Sequence, residues 1–189
     1  MGIALIQQSE KIKFTYEDYL ELPDDGKRYE LIDGELYMST TPTLNHQTIA
    51  GNFFLALSLY LKTNPIGKVF MAPVEVFFSN KNLAQPDLVF VSKANRELLK
   101  PTQIKGAPDL VIEVLSPSTE KRDRTIKLKM YAKFGVREYW MAKEKTATVE
   151  IFRLQKGDLV LVARLGKSDT LTSPLFPGLE IPLDEIFSL

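Results

Sequence analysis

Two acidic side chains stand within short apolar segments, where packing alone would favour hydrocarbon. Asp87 lies in the segment 85–91 and Glu113 in the segment 108–115. A buried carboxylate is costly unless it is paired, hydrogen-bonded or bound to a cation. We therefore expect both residues to hold one divalent cation, since Mg²⁺ takes one or two carboxylates and keeps waters. A cation held in this way can acidify a water for attack on a phosphodiester bond.

Lys127 is the candidate third member of this site. It follows Glu113 in a helical stretch, beside an apolar stripe that includes Ile126 and Met130. An amine there could orient the attacking water and stabilise the developing negative charge. Asp123 and Lys127 also form an i,i+4 pair, which is a common device of surface helices. The spacing alone leaves both interpretations open.

Local patterns predict the elements that must position these residues. An apolar repeat every four residues indicates a long helix after residue 44, and Asp33-Gly34 favours a tight hairpin turn. The predicted helices span 14–21, 45–62 and 118 or 119 to 135; the strands span 68–78, 86–91, 109–115 and 137–141; hairpins span 28–38 and 146–164. This order indicates a mixed sheet flanked by helices, of the α/β (α+β) class. The connection 92–107 allows an antiparallel return with a helical turn, which would bring Asp87 next to Glu113.

Composition bounds the answer further. A chain of 189 residues with 44% hydrophobic and 25% charged residues predicts one folded domain, 1–189. The absence of cysteine excludes disulfides and thiolate ligands and is compatible with a cytoplasmic location, which we expect. No apolar run is long enough for a membrane span. The 24 basic and 24 acidic residues balance, so bulk charge gives no support for tight nonspecific binding to nucleic acid.

The segment 119–137 departs from that balance because basic residues dominate it. They are Lys121, Arg122, Arg124, Lys127, Lys129, Lys133 and Arg137. A solvated helix face and a phosphate-facing patch both account for this pattern.

Several segments together resemble a known family. They are 29–35, 46–47, 85–91, 106–119, 135–140 and 173–180, together with Asp123, Lys127 and Tyr131. The chain resembles the Uma-two family of endonucleases, common in cyanobacteria, within the PD-(D/E)XK restriction-endonuclease-like superfamily. The resemblance covers nearly the whole chain.

The resemblance implies a restriction-endonuclease-like core and a nuclease that uses Mg²⁺ or Mn²⁺. Its expected substrate is nucleic acid, and DNA is expected in preference to RNA. It makes Asp87 and Glu113 the metal carboxylates and Lys127 the catalytic lysine. Leu115 occupies the position where the superfamily normally has its lysine, and Lys127 fits a lysine that has migrated to the following helix. A homodimer is expected because many relatives cut two strands with two active sites.

Several other residues are secondary candidates for the site. Glu30 is a candidate extra acid, with a pairing to Arg28 or Lys27 as its alternative. His46 and Gln47 are candidates at a helix start, where a lone histidine is more often a local hydrogen-bonding residue. Asp109 competes with Asp87 but is better explained as a strand-entry residue that binds local backbone amides. The expected nucleic-acid contacts are Lys121, Arg122, Arg124 and Lys129.

Two other functions remain open at this point. The balanced charge and Leu115 favour an inactive nucleic-acid- or protein-binding module that retains the nuclease fold. A metal-dependent hydrolase of a small phosphorylated substrate would also suit the modest charge.

Overall fold

The computed structural model describes residues 12–23, 25–39 and 41–188, and it has a mixed α/β architecture. The elements are α1 (Tyr16–Leu20), β1 (Arg28–Ile32), β2 (Glu35–Ser39), α2 (Leu44–Thr63), β3 (Gly67–Met71), β4 (Val76–Ser79), β5 (Asn82–Ala84), β6 (Leu88–Ser92), β7 (Ile104–Lys105), β8 (Leu110–Leu115), α3 (Glu120–Arg122), α4 (Leu128–Phe134), β9 (Glu138–Lys143), β10 (Thr148–Gln155), β11 (Asp158–Leu165), β12 (Thr170–Leu171), β13 (Ile181–Pro182) and α5 (Leu183–Ile186). Within the described residues, no helix is both long and apolar enough to cross a membrane.

Six strands form the central sheet, in the order β11-β10-β9-β8-β6-β3. β6 and β8 run antiparallel, and β8 and β9 run parallel, so the sheet is mixed as the sequence predicts. A 3-10 helix at Lys93–Leu98 lies in the connection between β6 and β8, where a helical turn was expected. This antiparallel pair is the scaffold on which Asp87 and Glu113 meet.

A second, smaller sheet has the order β2-β1-β5-β4-β7. Its first hairpin turns at Asp33 and Gly34 with φ angles of 48° and 77°, the left-handed pair that a type I′ turn needs. The predicted single strand over 68–78 is wrong. It divides around Pro73 into β3, which joins the central sheet, and β4, which joins the smaller one; proline has no N–H to donate within a strand.

The two faces of the central sheet are covered by different helices. α2 packs Phe53 and Leu57 against the face that carries Phe90 and Ile112. The opposite face, with Val111, packs against α4. Because side chains alternate along a strand, Glu113 lies on the same face as Val111 and points toward the helical segment that carries Lys127.

The three predicted helices are found where they were expected, although α1 covers only Tyr16–Leu20 of the predicted 14–21. α1 has the capping box expected from its sequence, since Thr15 and Asp18 cap each other's backbone. α2 extends over Leu44–Thr63. The helical segment 120–134 ends at Gly135, whose φ of 90° is a left-handed conformation that glycine adopts readily. What the sequence did not predict is a π-helical turn over Asp123–Lys127 inside that segment.

Candidate active site

Asp87 lies where the register of β6 and β8 puts it, opposite Glu113. Leu88 pairs with Ile112 in this antiparallel ladder, so the residue before Leu88 faces the residue after Ile112. The backbone N–H of Val114 donates to Asp87 Oδ2 at 2.8 Å. His46 Nε2, from the first turn of α2, lies 3.1 Å from the same oxygen. The aspartate is therefore fixed by the neighbouring strand and by the histidine.

Glu113 is held by two donors from the helical segment. Lys127 Nζ donates to Glu113 Oε1 at 2.8 Å, and the hydroxyl of Tyr131 donates to the same oxygen at 3.0 Å. Glu113 is 5% exposed and Lys127 3% exposed. A charged lysine at this depth is stable only with close anionic partners.

Glu30 supplies a second such partner from β1. Its Oε1 lies 2.8 Å from Lys127 Nζ and accepts the backbone N–H of Gln85 at 3.0 Å. Its Oε2 lies 3.2 Å from the guanidinium of Arg122. The alternative pairing of Glu30 with Arg28 or Lys27 is wrong, and Lys27 instead pairs with Asp25.

Asp123 completes the buried cluster around the lysine. Its Oδ1 is 3.4 Å from Lys127 Nζ, and the Asp123 side chain is 3% exposed. The idea that Asp123 and Lys127 form an ordinary surface pair is therefore wrong, because both side chains point inward from the π turn. A π turn adds one residue to the helical ring and is frequent at functional sites.

Two carboxylate oxygens of the cluster, Glu30 Oε2 and Asp123 Oδ1, are buried and have no hydrogen-bond partner in the described part of the chain. Each is near a cation, at 3.2 and 3.4 Å respectively, but neither contact has hydrogen-bond geometry. Buried polar atoms are normally satisfied by a protein group, a water or an ion. The cluster thus carries more acceptor capacity than its own donors satisfy.

The pKa directions follow from burial and charge. Burial raises the pKa of Glu113 to about 8; the charge of Lys127 opposes this rise, and the nearby carboxylates of Asp123, Asp87 and Glu30 add to it. Burial acts to lower the pKa of Lys127, but the three carboxylates around it outweigh burial and hold the pKa well above its usual value. Burial likewise works against the charged form of His46, yet Asp87 raises its net pKa. A bound divalent cation would favour the ionised carboxylates.

A cleft of about 240 Å³ opens onto these residues. His46, Asp87, Glu113, Asp123 and Lys127 all line it. Its other wall carries the hydroxyl side chains that follow β8, namely Ser116, Ser118 and Thr119. The hard oxygen donors fit Mg²⁺ or Mn²⁺. Among residues 12–23, 25–39 and 41–188 no three His, Cys, Asp or Glu side chains form a ready cation site, so a cation would need waters or substrate oxygens as further ligands.

The basic residues expected to contact nucleic acid divide into two groups. Arg122 lines the cleft but is engaged with Glu30. Arg124 pairs with Glu120 and Glu150, and these acids occupy its guanidinium. Lys121 and Lys129 are exposed to solvent.

Two further predictions concern individual residues. Asp109 is a structural residue, as expected, because it accepts the backbone N–H of Ser92 at 2.7 Å and the side chains of Asn95 and Arg137. Gln47 lines a neighbouring hollow that also touches Asp87. Sequence reasoning gave Tyr131 no role in the site, although its position four residues after Lys127 puts both on one helix face.

The fold and the cleft define a class of protein, the α/β proteins with a nuclease-like fold. A solved structure from Anabaena variabilis, described as a "putative nuclease belonging to DUF820", superposes with a TM-score of 0.76, at 20% identity, over 92% of this chain and 97% of that one. The chain belongs to the Uma2 family, described as "Putative restriction endonuclease", whose model matches residues 16–184. An uncharacterized protein of Synechocystis is 26% identical over 178 residues, which is 93% of this chain and 92% of that protein.

Proposed function

We propose that this chain is a metal-dependent nuclease that hydrolyses phosphodiester bonds of nucleic acid, with a preference for DNA over RNA. Asp87 and Glu113 hold Mg²⁺ or Mn²⁺ at the wall of the cleft. Lys127 serves as the catalytic lysine, because the position where the superfamily normally has its lysine is Leu115. The family description, and the description of the similar Anabaena structure as a nuclease, support this class of reaction.

The observation that carries the proposal is the contact of Lys127 Nζ with Glu113 Oε1 at 2.8 Å. A lysine from the helical segment reaches the carboxylate of β8, so the missing lysine at position 115 does not leave the cleft without an amine. Both residues line the same cleft as Asp87. Three carboxylates hold the pKa of Lys127 well above its usual value, which keeps the amine charged at neutral pH.

Each residue then has a defined task. The charged amine of Lys127 orients a water and stabilises negative charge that develops on the phosphate. The Tyr131 hydroxyl and the Val114 N–H fix the carboxylates of Glu113 and Asp87, so that little reorganisation is needed during reaction. A divalent cation, when bound, supplies Lewis acidity and lowers the pKa of a bound water.

The test is a cleavage assay on supercoiled plasmid, single-stranded DNA and RNA, each with Mg²⁺ and with Mn²⁺. Wild type is compared with Asp87→Asn, Glu113→Gln and Lys127→Met, and with Glu180→Gln, an exposed acid outside the cleft, as the matched control. We expect cleavage by wild type and the control, with a loss of about 100-fold or more in each cleft variant. Cleavage that persists equally in all cleft variants would come from a contaminating nuclease and would contradict the proposal.

Metal binding gives a second readout that does not need cleavage. A ligand that binds only the folded state raises its stability by about 2.7 kcal/mol at a concentration of 100 times Kd. We expect Mg²⁺ or Mn²⁺ to raise the melting temperature of wild type and to have no such effect on Asp87→Asn. A homodimer is part of the proposal, and light scattering coupled to size exclusion measures it; a monomer at assay concentrations would contradict it.

One observation favours a second candidate, an inactive binding module with the nuclease fold. Lys127 is enclosed by Glu30, Glu113 and Asp123, and this enclosure alone would keep it as a structural cation. Under that alternative neither metal shifts the melting temperature and no substrate is cut, while nucleic acid or a protein still binds.

A further inference from the structure

Arg28 differs from the other cations of the cleft because it has no anionic partner within residues 12–23, 25–39 and 41–188. Arg122 pairs with Glu30, and Lys127 pairs with three carboxylates. The guanidinium of Arg28 has neither an ion pair nor a side-chain hydrogen bond among the residues that the structure describes. It is near enough to His46 for its charge to act to lower the pKa of that histidine. A partly exposed, unpaired guanidinium at the edge of an acidic cleft is free to bind an anion from outside the protein.

A second hollow adjoins the acidic cleft at Asp87. It has a volume of about 300 Å³ and shares Arg28, Pro42, His46 and Asp87 with the acidic cleft. Its remaining walls come from Gln47, Ala50 and Gly51 of α2 and from Met71 and Ala72. The groups found only in the hollow are apolar or backbone-like except for the Gln47 amide, and its charged groups, Arg28 and Asp87, are those that it shares with the cleft. The cleft has further carboxylates and hydroxyls.

We propose that this hollow is a subsite for one nucleoside of the substrate, and that Arg28 binds the phosphate that joins this nucleoside to the rest of the strand. The inference rests on the proposed function, since it takes the scissile phosphodiester to lie in the cleft beside Asp87. The strand then crosses Asp87, with its reacting phosphate over Glu113 and the next nucleoside over α2.

The chemistry of the walls fits this ligand. The flexible thioether of Met71, which is 43% exposed, offers an apolar surface to the flat face of a base. The Gln47 amide is exposed and carries both a donor and an acceptor, which suits the edge of a base. A volume of about 300 Å³ is at the lower limit for small organic ligands.

The size of the subsite also selects among nucleic acids. A hollow that accepts one nucleoside cannot accept a base pair, so the nucleotide next to the scissile phosphate must be unpaired when it binds. The preferred substrate is therefore a single strand or a locally opened duplex.

Gly51 allows a test that changes the hollow with little risk to folding. A Cβ added at Gly51 meets no atom within 4 Å, and replacing glycine inside a helix favours the helix by up to about 1 kcal/mol. Gly51→Leu fills the hollow, while Gly51→Ala gains the same helical preference and leaves the space open. For the anion, Arg28→Ala and Arg28→Lys are compared with Arg96→Ala, an exposed arginine outside both hollows.

The readout is binding of a fluorescein-labelled 12-nucleotide single strand, and of its duplex, followed by anisotropy in EDTA, so that no cleavage occurs. Gly51→Leu should weaken binding of the single strand about tenfold, since one stacked base is lost, with Gly51→Ala unchanged. Arg28→Ala should reduce the slope of log K against log salt concentration by about 1, as expected for one lost phosphate contact. Arg28→Lys should keep most of that slope, and Arg96→Ala all of it.

Three outcomes would overturn the inference. If Gly51→Leu and Arg28→Ala bind the single strand as wild type does while Asp87-dependent cleavage persists, the subsite is wrong and the proposed function stands. If wild type prefers the duplex, the selection for an unpaired nucleotide is wrong. If wild type neither cuts nor binds any nucleic acid, the proposed function fails and the subsite fails with it.

Discussion

Lys127 Nζ and Glu113 Oε1 are 2.8 Å apart and buried, although 14 residues separate them in the chain. One comes from a helical segment and the other from a strand. Lys127 is the last residue of the π turn over Asp123–Lys127, from which its side chain points inward, and the Tyr131 hydroxyl donates to the same oxygen from the next turn. The contact is thus a tertiary feature, held by both layers of the fold.

Replacing Lys127 with methionine should lower stability as well as activity. Three carboxylates would lose their common cation, and breaking a buried ion pair on one side costs about 3–5 kcal/mol. We expect the free energy of unfolding, measured in urea at pH 7 without divalent ions, to fall by about that amount. Lys121→Met, an exposed lysine in the same helical segment, should change it by less than about 0.5 kcal/mol. An equal, small effect of the two substitutions would show that the cluster does not depend on the amine.

Tyr131→Phe should affect the proposed reaction through the position of Glu113. The substitution removes one hydroxyl that donates to Glu113 Oε1 and keeps the buried ring, which packs edge-on against Tyr139. We expect about 1–2 kcal/mol less stability for the lost hydrogen bond to a carboxylate. If Tyr131 positions Glu113, kcat should fall about tenfold with KM unchanged, because a misplaced carboxylate acts on the reacting complex. A fall in stability with no change in kcat would make its role structural only.

Substitution of Asp109 should lower stability and leave the cleavage rate unchanged. Its side chain accepts from Ser92 at the end of β6, from Asn95 in the 3-10 helix that follows, and from Arg137 just before β9. Asp109→Asn replaces one of the two acceptor oxygens with an NH₂ donor, so the contacts of either Oδ1 or Oδ2 are lost, and the side-chain charge is lost as well. We expect the melting temperature to fall, with a loss of about 2–4 kcal/mol in the free energy of unfolding. The cleavage rate per folded molecule, measured well below the new melting temperature, should stay at the wild-type value. A specific loss of cleavage at full folding would make Asp109 a candidate metal carboxylate again.

The antiparallel approach of Asp87 and Glu113 could be predicted from sequence because it depends on local pattern. Alternation put Glu113 on the same face as Val111, and the length of the 92–107 connection allowed an antiparallel return; the observed register agrees with both. The turn at Asp33-Gly34 and the end of the helical segment at Gly135 were likewise predictable, since both need backbone conformations that few residues adopt.

The surroundings of Lys127 could not be predicted from sequence. An i,i+4 acid–base pair is also common on exposed helix faces, so the pattern does not indicate burial. Only tertiary packing buries Asp123 and Lys127. The contact of Glu30 with Lys127 joins β1 to the helical segment across 97 positions of sequence, and no local periodicity reports on such a contact. The division of 68–78 between two sheets was missed for a related reason, since β propensity does not say which partner a strand will have.

Glu150 gives a prediction for the dependence of stability on pH, away from the cleft. Burial acts to raise the pKa of this carboxyl, but Arg124 and Arg164 outweigh burial and lower the pKa below its ordinary value of 4.5. Arg164 Nη2 lies 2.7 Å from Glu150 Oε1, and Arg124 contacts the other oxygen. A carboxyl whose pKa is lower in the folded state stabilises the fold above its unfolded pKa and loses this contribution as the pH falls through the folded pKa.

Glu150→Gln should therefore be less stable than wild type by about 1 kcal/mol at pH 7, a modest value because both guanidinium groups are partly exposed. The difference should persist down to pH ~4.5 and shrink below it. Urea titrations at several pH values measure it, with Glu185→Gln, an exposed acid in α5, as the control; a difference that does not shrink in acid would mean that the ion pairs are not its source.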